Sequence, residues 1–97
     1  MAVTVRVNSS QKLVEILIRE RLDFSMYKEF RQAYRYVTDK RTRFVVDFKD
    51  ASFIDSAGIG MLLLLRQHAR SVDGSLQVVN TTGAVRRVLE MIHFSDM

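Results

Sequence analysis

Apolar side chains recur along this chain at two spacings, every second residue and every third or fourth. Val3, Val5 and Val7 alternate with polar residues, which predicts a half-buried strand. Asn8-Ser9-Ser10-Gln11 reads as a turn, and Leu13 to Ile18 as a second, deeper strand paired with the first as a hairpin. Arg19 to Asp23 leads out to a loop. Met26, Phe30, Ala33, Tyr34 and Val37 then fall at helical spacing, with Lys28, Glu29, Arg31, Gln32 and Arg35 opposite and Ser25 as the expected cap. Phe44 to Phe48 has the apolar, β-branched character of a central strand covered on both faces. Lys49 to Ser52 connects it to a helix that begins at Asp55-Ser56 and runs to about Arg70, where Asp73-Gly74 stops it. Leu76 to Asn80 is a last strand. Thr81-Thr82-Gly83 opens a last helix with Val85, Val88, Leu89 and Ile92 on one face. The order is β-β-α-β-α-β-α, an α/β fold with crossovers, a mixed sheet and helices packed against it.

Composition narrows the classes. With 97 residues, 47% apolar and 27% charged, one globular domain spanning 1–97 is expected. No cysteine is present, which removes disulfides and thiolate metal sites and favours a cytoplasmic setting. The amino end lacks the apolar core of a signal peptide, and Met61 to Leu65 is too short to cross a bilayer, so no membrane association is expected. The net charge of +4 is scattered, as in Arg19-Glu20-Arg21 and Arg86-Arg87. Aromatics do not interleave with these cations as a stacking platform requires, so nucleic acid is not the expected partner.

Residues 53–65 hold the candidate chemistry. Phe53-Ile54-Asp55-Ser56-Ala57-Gly58-Ile59-Gly60 places acid and hydroxyl at a helix start, then small residues that let another surface approach. Ser56 stands at the positive end of a helix dipole, where a phosphate is well tolerated. On the residues alone it is either a cap or a modifiable switch. Catalysis finds little support: His68 lies twelve residues further along the helix, about 18 Å at 1.5 Å per residue. Gly58 and Gly60 are followed by Met61-Leu62 rather than the Lys-Ser/Thr of a phosphate loop. Asp23, Asp47, Asp50 and Asp55 lack histidine or cysteine at ligand spacing, so neither metal nor cofactor is expected. Five consecutive apolar residues cover more of a helix than a core stripe needs, which leaves some of Ile59, Met61, Leu62, Leu63 and Leu65 for a partner.

These residues resemble the STAS domain of anti-sigma factor antagonists. The resemblance covers nearly the whole chain, with its centre at residues 44–65 and further traces at Leu22-Asp23 and Val85-Arg86-Arg87-Val88-Leu89. It is nearest to the single-domain antagonists of gamma-proteobacterial partner-switching systems. The resemblance implies that Ser56 is phosphorylated by an anti-sigma factor that is also a serine kinase of GHKL type. The unphosphorylated form would bind that partner, and a PP2C-type phosphatase, or a response regulator carrying one, would reverse the modification. A monomer whose partner surface includes Asp23, Asp55, Ala57, Gly58, Ile59, Gly60, Met61, Leu62 and Leu63 follows. Two positions depart from the family: Ala57 stands where Ser or Thr is frequent, and Glu20 where glycine is usual. Two other readings remain, a STAS subunit held permanently in a lipid-transport complex or stressosome, and a nucleotide-binding module.

Overall fold

The computed structural model describes residues 2–94. Strand β1 (Val3–Asn8) and strand β2 (Leu13–Leu22) form the expected antiparallel hairpin. The Asn8 carboxamide oxygen closes its turn by accepting from the Gln11 backbone N–H at 3.2 Å and the Ser10 hydroxyl at 2.8 Å. Strand β3 (Arg43–Ile54) runs parallel to β2, and strand β4 (Ser75–Val79) parallel to β3, in the order β1-β2-β3-β4. Helix α1 (Tyr27–Gln32) crosses from β2 to β3, helix α2 (Ser56–Ser71) from β3 to β4, and helix α3 (Gly83–Met91) follows β4. The order of elements is the one the apolar pattern gives.

The helices cover one face of the sheet. Val14, Ile16, Phe44, Val46, Phe48 and Leu76 point to that face and are buried. His68 of α2 meets the Phe44 ring edge-on at 5.7 Å, and Arg66 of α2 lies 5.1 Å over the ring of Phe94, just beyond α3. The opposite face carries Thr4, Arg6, Glu15, Leu17, Asp47 and Lys49 and stays partly open. Strand β3 is therefore not covered on both sides, contrary to expectation. Asp47 explains this: its carboxylate accepts from the Asn80 side chain at 3.0 Å and the Lys49 backbone at 2.8 Å, an arrangement suited to a wet surface.

Both central strands outrun their sequence pattern. Strand β2 extends to Leu22 and β3 to Ile54, so the expected loops at 19–23 and 49–52 are largely strand. Five steps from Leu17 to Leu22 face seven from Asp47 to Ile54, through two irregularities in register. Such bulges break the period of two by which a strand is recognised. Within this stretch Glu20 adopts φ 67°, the left-handed conformation that a glycine takes freely. That backbone costs a residue with a side chain about 1–2 kcal/mol, whereas glycine gives back about 0.4–1 kcal/mol through a freer unfolded chain. Glu20→Gly is accordingly expected to stabilise the domain by about 0.5–1 kcal/mol. A urea midpoint that falls instead would show that the Glu20 side chain makes a compensating contact.

The first crossover is also shorter in helix than its periodicity suggests. A 3₁₀ turn at Phe24–Met26 leads into the six residues of α1, and turns follow from Ala33. Asp23, not Ser25, is the cap: its carboxylate accepts from the Ser25 backbone N–H at 3.0 Å and from the Ser25 hydroxyl. Phe30 and Tyr34 still fill the core beneath, with His68 beside them.

Candidate functional site

Strands β2 and β3 end together, on the paired residues Leu22 and Ile54. Each is followed by an aspartate in extended conformation that starts the next turn of helix. Asp23 caps the 3₁₀ turn, and Asp55 caps α2 by accepting from the Gly58 N–H at 2.8 Å. The carboxyl ends of adjacent parallel strands thus carry two carboxylates side by side, at the sheet edge where α/β folds commonly place binding sites. Arg21 partly balances them: its guanidinium is 4.0 Å from the Asp23 carboxylate and 5.7 Å from the centre of the Phe53 ring.

Helix α2 is wedged against this edge by a glycine. The Asp55 N–H points to the Leu22 carbonyl at 3.4 Å, and a Cβ on Gly58 would stand 2.2 Å from the same oxygen. It would also stand 2.8 Å from Ile54 Cγ1. The fold itself uses the close approach that this glycine allows. Gly60 is different, since a Cβ there would meet nothing within 4 Å. Only the second of the two glycines opens to the surroundings.

Ser56 occupies the first helical position, one residue past the cap. It is not the cap that its place in the sequence suggests, because Asp55 already fills that role. Its side chain is exposed and makes no hydrogen bond among the described residues. The hydroxyl is available at the positive end of a sixteen-residue helix.

Along α2 the apolar run divides into two faces. Gly58, Met61, Leu62, Leu65 and Ala69 are buried, whereas Leu63 and Leu64 are 40% and 45% exposed. The placement of Gly58, Met61 and Leu62 on a partner surface is therefore corrected: the i, i+3, i+4 stripe turns them to the core. Met61 alone reaches the outside, as the floor of a groove. Ile59 is half-buried against the core, and Ala57, Gly60 and Leu63 remain on the accessible side. Leu64, which the sequence pattern did not single out, joins them. The signal for it was Gln67, since Gly60, Leu63, Leu64 and Gln67 share one face that ends in a polar residue.

That face forms one wall of an apolar groove of about 460 Å³. Phe24, 71% exposed, and Tyr27 form the other wall, their rings stacked at 6.0 Å. Further along, the groove opens into a depression of about 450 Å³ that shares Tyr27, Leu64 and Gln67 and is lined by Arg31 and Arg35. Burial raises the Tyr34 hydroxyl above its ordinary pKa there, with the charge of Arg31 pulling the other way and Tyr27 adding a smaller rise. His68 is committed to the fold, its Nε2 placed 2.8 Å from the Val37 carbonyl and its ring against Tyr34 and Phe44. It gives Ser56 no base. Asp23, Asp55 and Ser56 lie at the ends of β2 and β3, next in sequence to Phe24 and Ala57, which line the groove.

Comparison with known proteins agrees with this fold. The family model described as Mlab, STAS domain, matches residues 5–97. A STAS-domain containing protein of Pseudomonas aeruginosa (strain UCBPP-PA14) is 35% identical over 97 residues, covering 100% of this chain and 96% of that protein. The anti-sigma factor antagonist SpoIIAA in its unphosphorylated form superposes with a TM-score of 0.71 at 22% identity, over 93% of this chain and 83% of that one. The Bacillus cell fate determinant SpoIIAA in its phosphorylated form gives 0.65 at 21% identity, over 94% and 83%. At these identities the likeness to SpoIIAA is one of fold.

Proposed function

Because this chain belongs to the STAS-domain family, we propose that it is an anti-sigma factor antagonist of a bacterial partner-switching pathway, without catalysis of its own. In this reading residues 1–97 act as one cytoplasmic domain and a monomer. The unphosphorylated protein binds an anti-sigma factor that is also a GHKL-type serine kinase. Phosphorylation of Ser56 ends the complex, and a PP2C-type phosphatase, free or carried by a response regulator, restores it. No cofactor is required.

The observation that carries the proposal is the exposed Ser56 hydroxyl, without a hydrogen bond among the described residues, directly after the capping Asp55 and before Ala57, which lines an apolar groove. A phosphoserine adds about −1.5 to −2 charges, which a helix N-terminus accommodates. The same charge beside Asp55 is hostile to a partner that must cover this surface. Two unit charges 4 Å apart repel by about 4 kcal/mol at an effective dielectric of 20, and each 1.4 kcal/mol is about tenfold in affinity. Even a third of that repulsion weakens the complex nearly tenfold.

The test begins with co-purification from the native host and intact-mass measurement, which give partner and phosphorylation state together. Affinity is then compared across wild type, Ser56→Ala, Ser56→Asp and the phosphorylated protein. Ser56→Ala should bind like wild type, and because Ser56 is not the cap its stability should change by less than the roughly 0.5–2 kcal/mol that a cap contributes. Ser56→Asp should lose about tenfold, and the phosphorylated protein more, in keeping with its larger charge. Equal affinity for all four would reject the switch.

A second reading is a STAS subunit held permanently in a larger assembly. It is favoured by the matching family model, which is that of Mlab rather than of an antagonist, and by the exposure of Phe24, Leu63 and Leu64. It expects a partner that stays bound whatever the state of Ser56, so the same comparison distinguishes the two.

A further inference from the structure

The groove beside Ser56 changes character along its length. At the amino end of α2 its walls are Phe24, Tyr27, Leu63 and Leu64. Beyond Gln67 the lining becomes Arg31, Arg35 and Ser71. Among the described residues no Asp or Glu lines either part. Arg31 lies 3.5 Å from the Tyr27 hydroxyl and Arg35 stacks 4.9 Å over the Tyr36 ring, and among the described residues neither forms an ion pair with a carboxylate. Two guanidinium groups thus face the open end of an apolar channel with their charges unmatched.

The dimensions are those of a helix seat. Phe24 and Tyr27 face Ala57 and Gly60, whereas Tyr34 and Arg35 face His68 and Ser71, so α1 with its following turn runs alongside α2 in the same direction. From Ala57 to Ser71 the rise along α2 is about 21 Å, the length of a helix of about fourteen residues. Two aligned helices with a channel between them accept the apolar stripe of a third.

We propose that this channel takes one amphipathic helix of a partner protein, its apolar residues on Leu63 and Leu64 and acidic side chains on Arg31 and Arg35. The proposal rests on the reading that this face of α2 is the partner surface, and adds the chemistry and direction of what docks there. Guanidinium groups bind carboxylates in a fixed fork, so the basic end sets the orientation of the incoming helix while the apolar end supplies most of the affinity. The acidic end of the guest then lies at the end of the channel away from Ser56.

The test uses two stapled fourteen-residue helical peptides with leucines at i, i+3, i+4 and i+7. One carries two glutamates in its last turn, and the other carries two lysines there. Binding to the full 97-residue protein is followed by titration calorimetry at low and high salt. The acidic peptide should bind at least tenfold more tightly at low salt, and the double variant Arg31→Glu/Arg35→Glu should invert the preference while keeping its circular dichroism. Equal affinities would overturn the charge assignment and leave an apolar partner surface standing. If neither peptide binds at millimolar concentration, the docking surface fails as well. Two further results also reject a helical guest: concentration-dependent dimers lost in Leu64→Asp point to a second copy, and binding to anionic vesicles in preference to the peptide points to a lipid surface.

Discussion

Gly58→Ala is expected to destabilise the protein strongly, although alanine is the better helix former. The new methyl would stand 2.2 Å from the Leu22 carbonyl oxygen, and backbone cannot step aside as a side-chain tip can. Overpacking of a tight site costs about 1–3 kcal/mol even where side chains can shift. Here relief requires moving α2 off the ends of β2 and β3, so a loss at or above about 3 kcal/mol is expected. A domain of this size has about 5–15 kcal/mol in all. Gly60→Ala is the control two residues away. With nothing within 4 Å of its Cβ, it should gain about 0.5–1 kcal/mol from helix propensity alone. Urea denaturation of the two variants reads both effects, and equal midpoints would contradict the wedge.

The second large effect separates neighbouring leucines. Leu62→Asp and Leu65→Asp should unfold the domain, because both side chains are fully buried and would bring an unpaired charge into the core. The lost packing alone is worth about 2–5 kcal/mol, as for truncation of a buried leucine. Leu63→Asp and Leu64→Asp should fold with nearly unchanged melting temperature, since the carboxylates stay in water. They should abolish binding of the partner identified by co-purification. If Leu63→Asp and Leu64→Asp bind normally, that wall of the groove is no docking surface. If all four unfold, the run belongs wholly to the core.

How much of this was legible in the sequence varies with the kind of signal. The element order was, because Val3-Val5-Val7 alternate with polar residues, Phe44 to Phe48 is a short apolar β-branched and aromatic run, and Val85-Val88-Leu89 repeat at helical spacing. The extensions of β2 and β3 were not, because bulges between Leu17 and Leu22 interrupt the alternation and Glu20 takes a glycine's conformation. The open sheet face could have been read from Asp47, an acid in the middle of an otherwise apolar strand. Asp23 and Asp55 come together only through parallel pairing, which no local pattern contains. A leucine run hides its own division into faces, since five apolar residues in a row give no phase. The phase lies outside it, in Gly58, Gln67 and Ala69. Which glycine serves the fold and which faces the surroundings depends on a carbonyl thirty-six residues earlier, and sequence spacing is silent on that.

The Leu22 carbonyl lodged against Gly58 also bears on time. With no room for a methyl between α2 and the end of β2, the first turn of α2 packs directly on the strand end, and Ser56 stands beside that contact. A switch at such a place has no lid to open and no segment to refold, so its delay is the residence time of the complex. Interface lifetimes extend from milliseconds to days and are tuned mainly through dissociation. Under the proposed switch, the tempo of the response is therefore written in the groove walls at Phe24, Leu63 and Leu64. Substitutions there would lengthen or shorten the signal without altering whether it is sent.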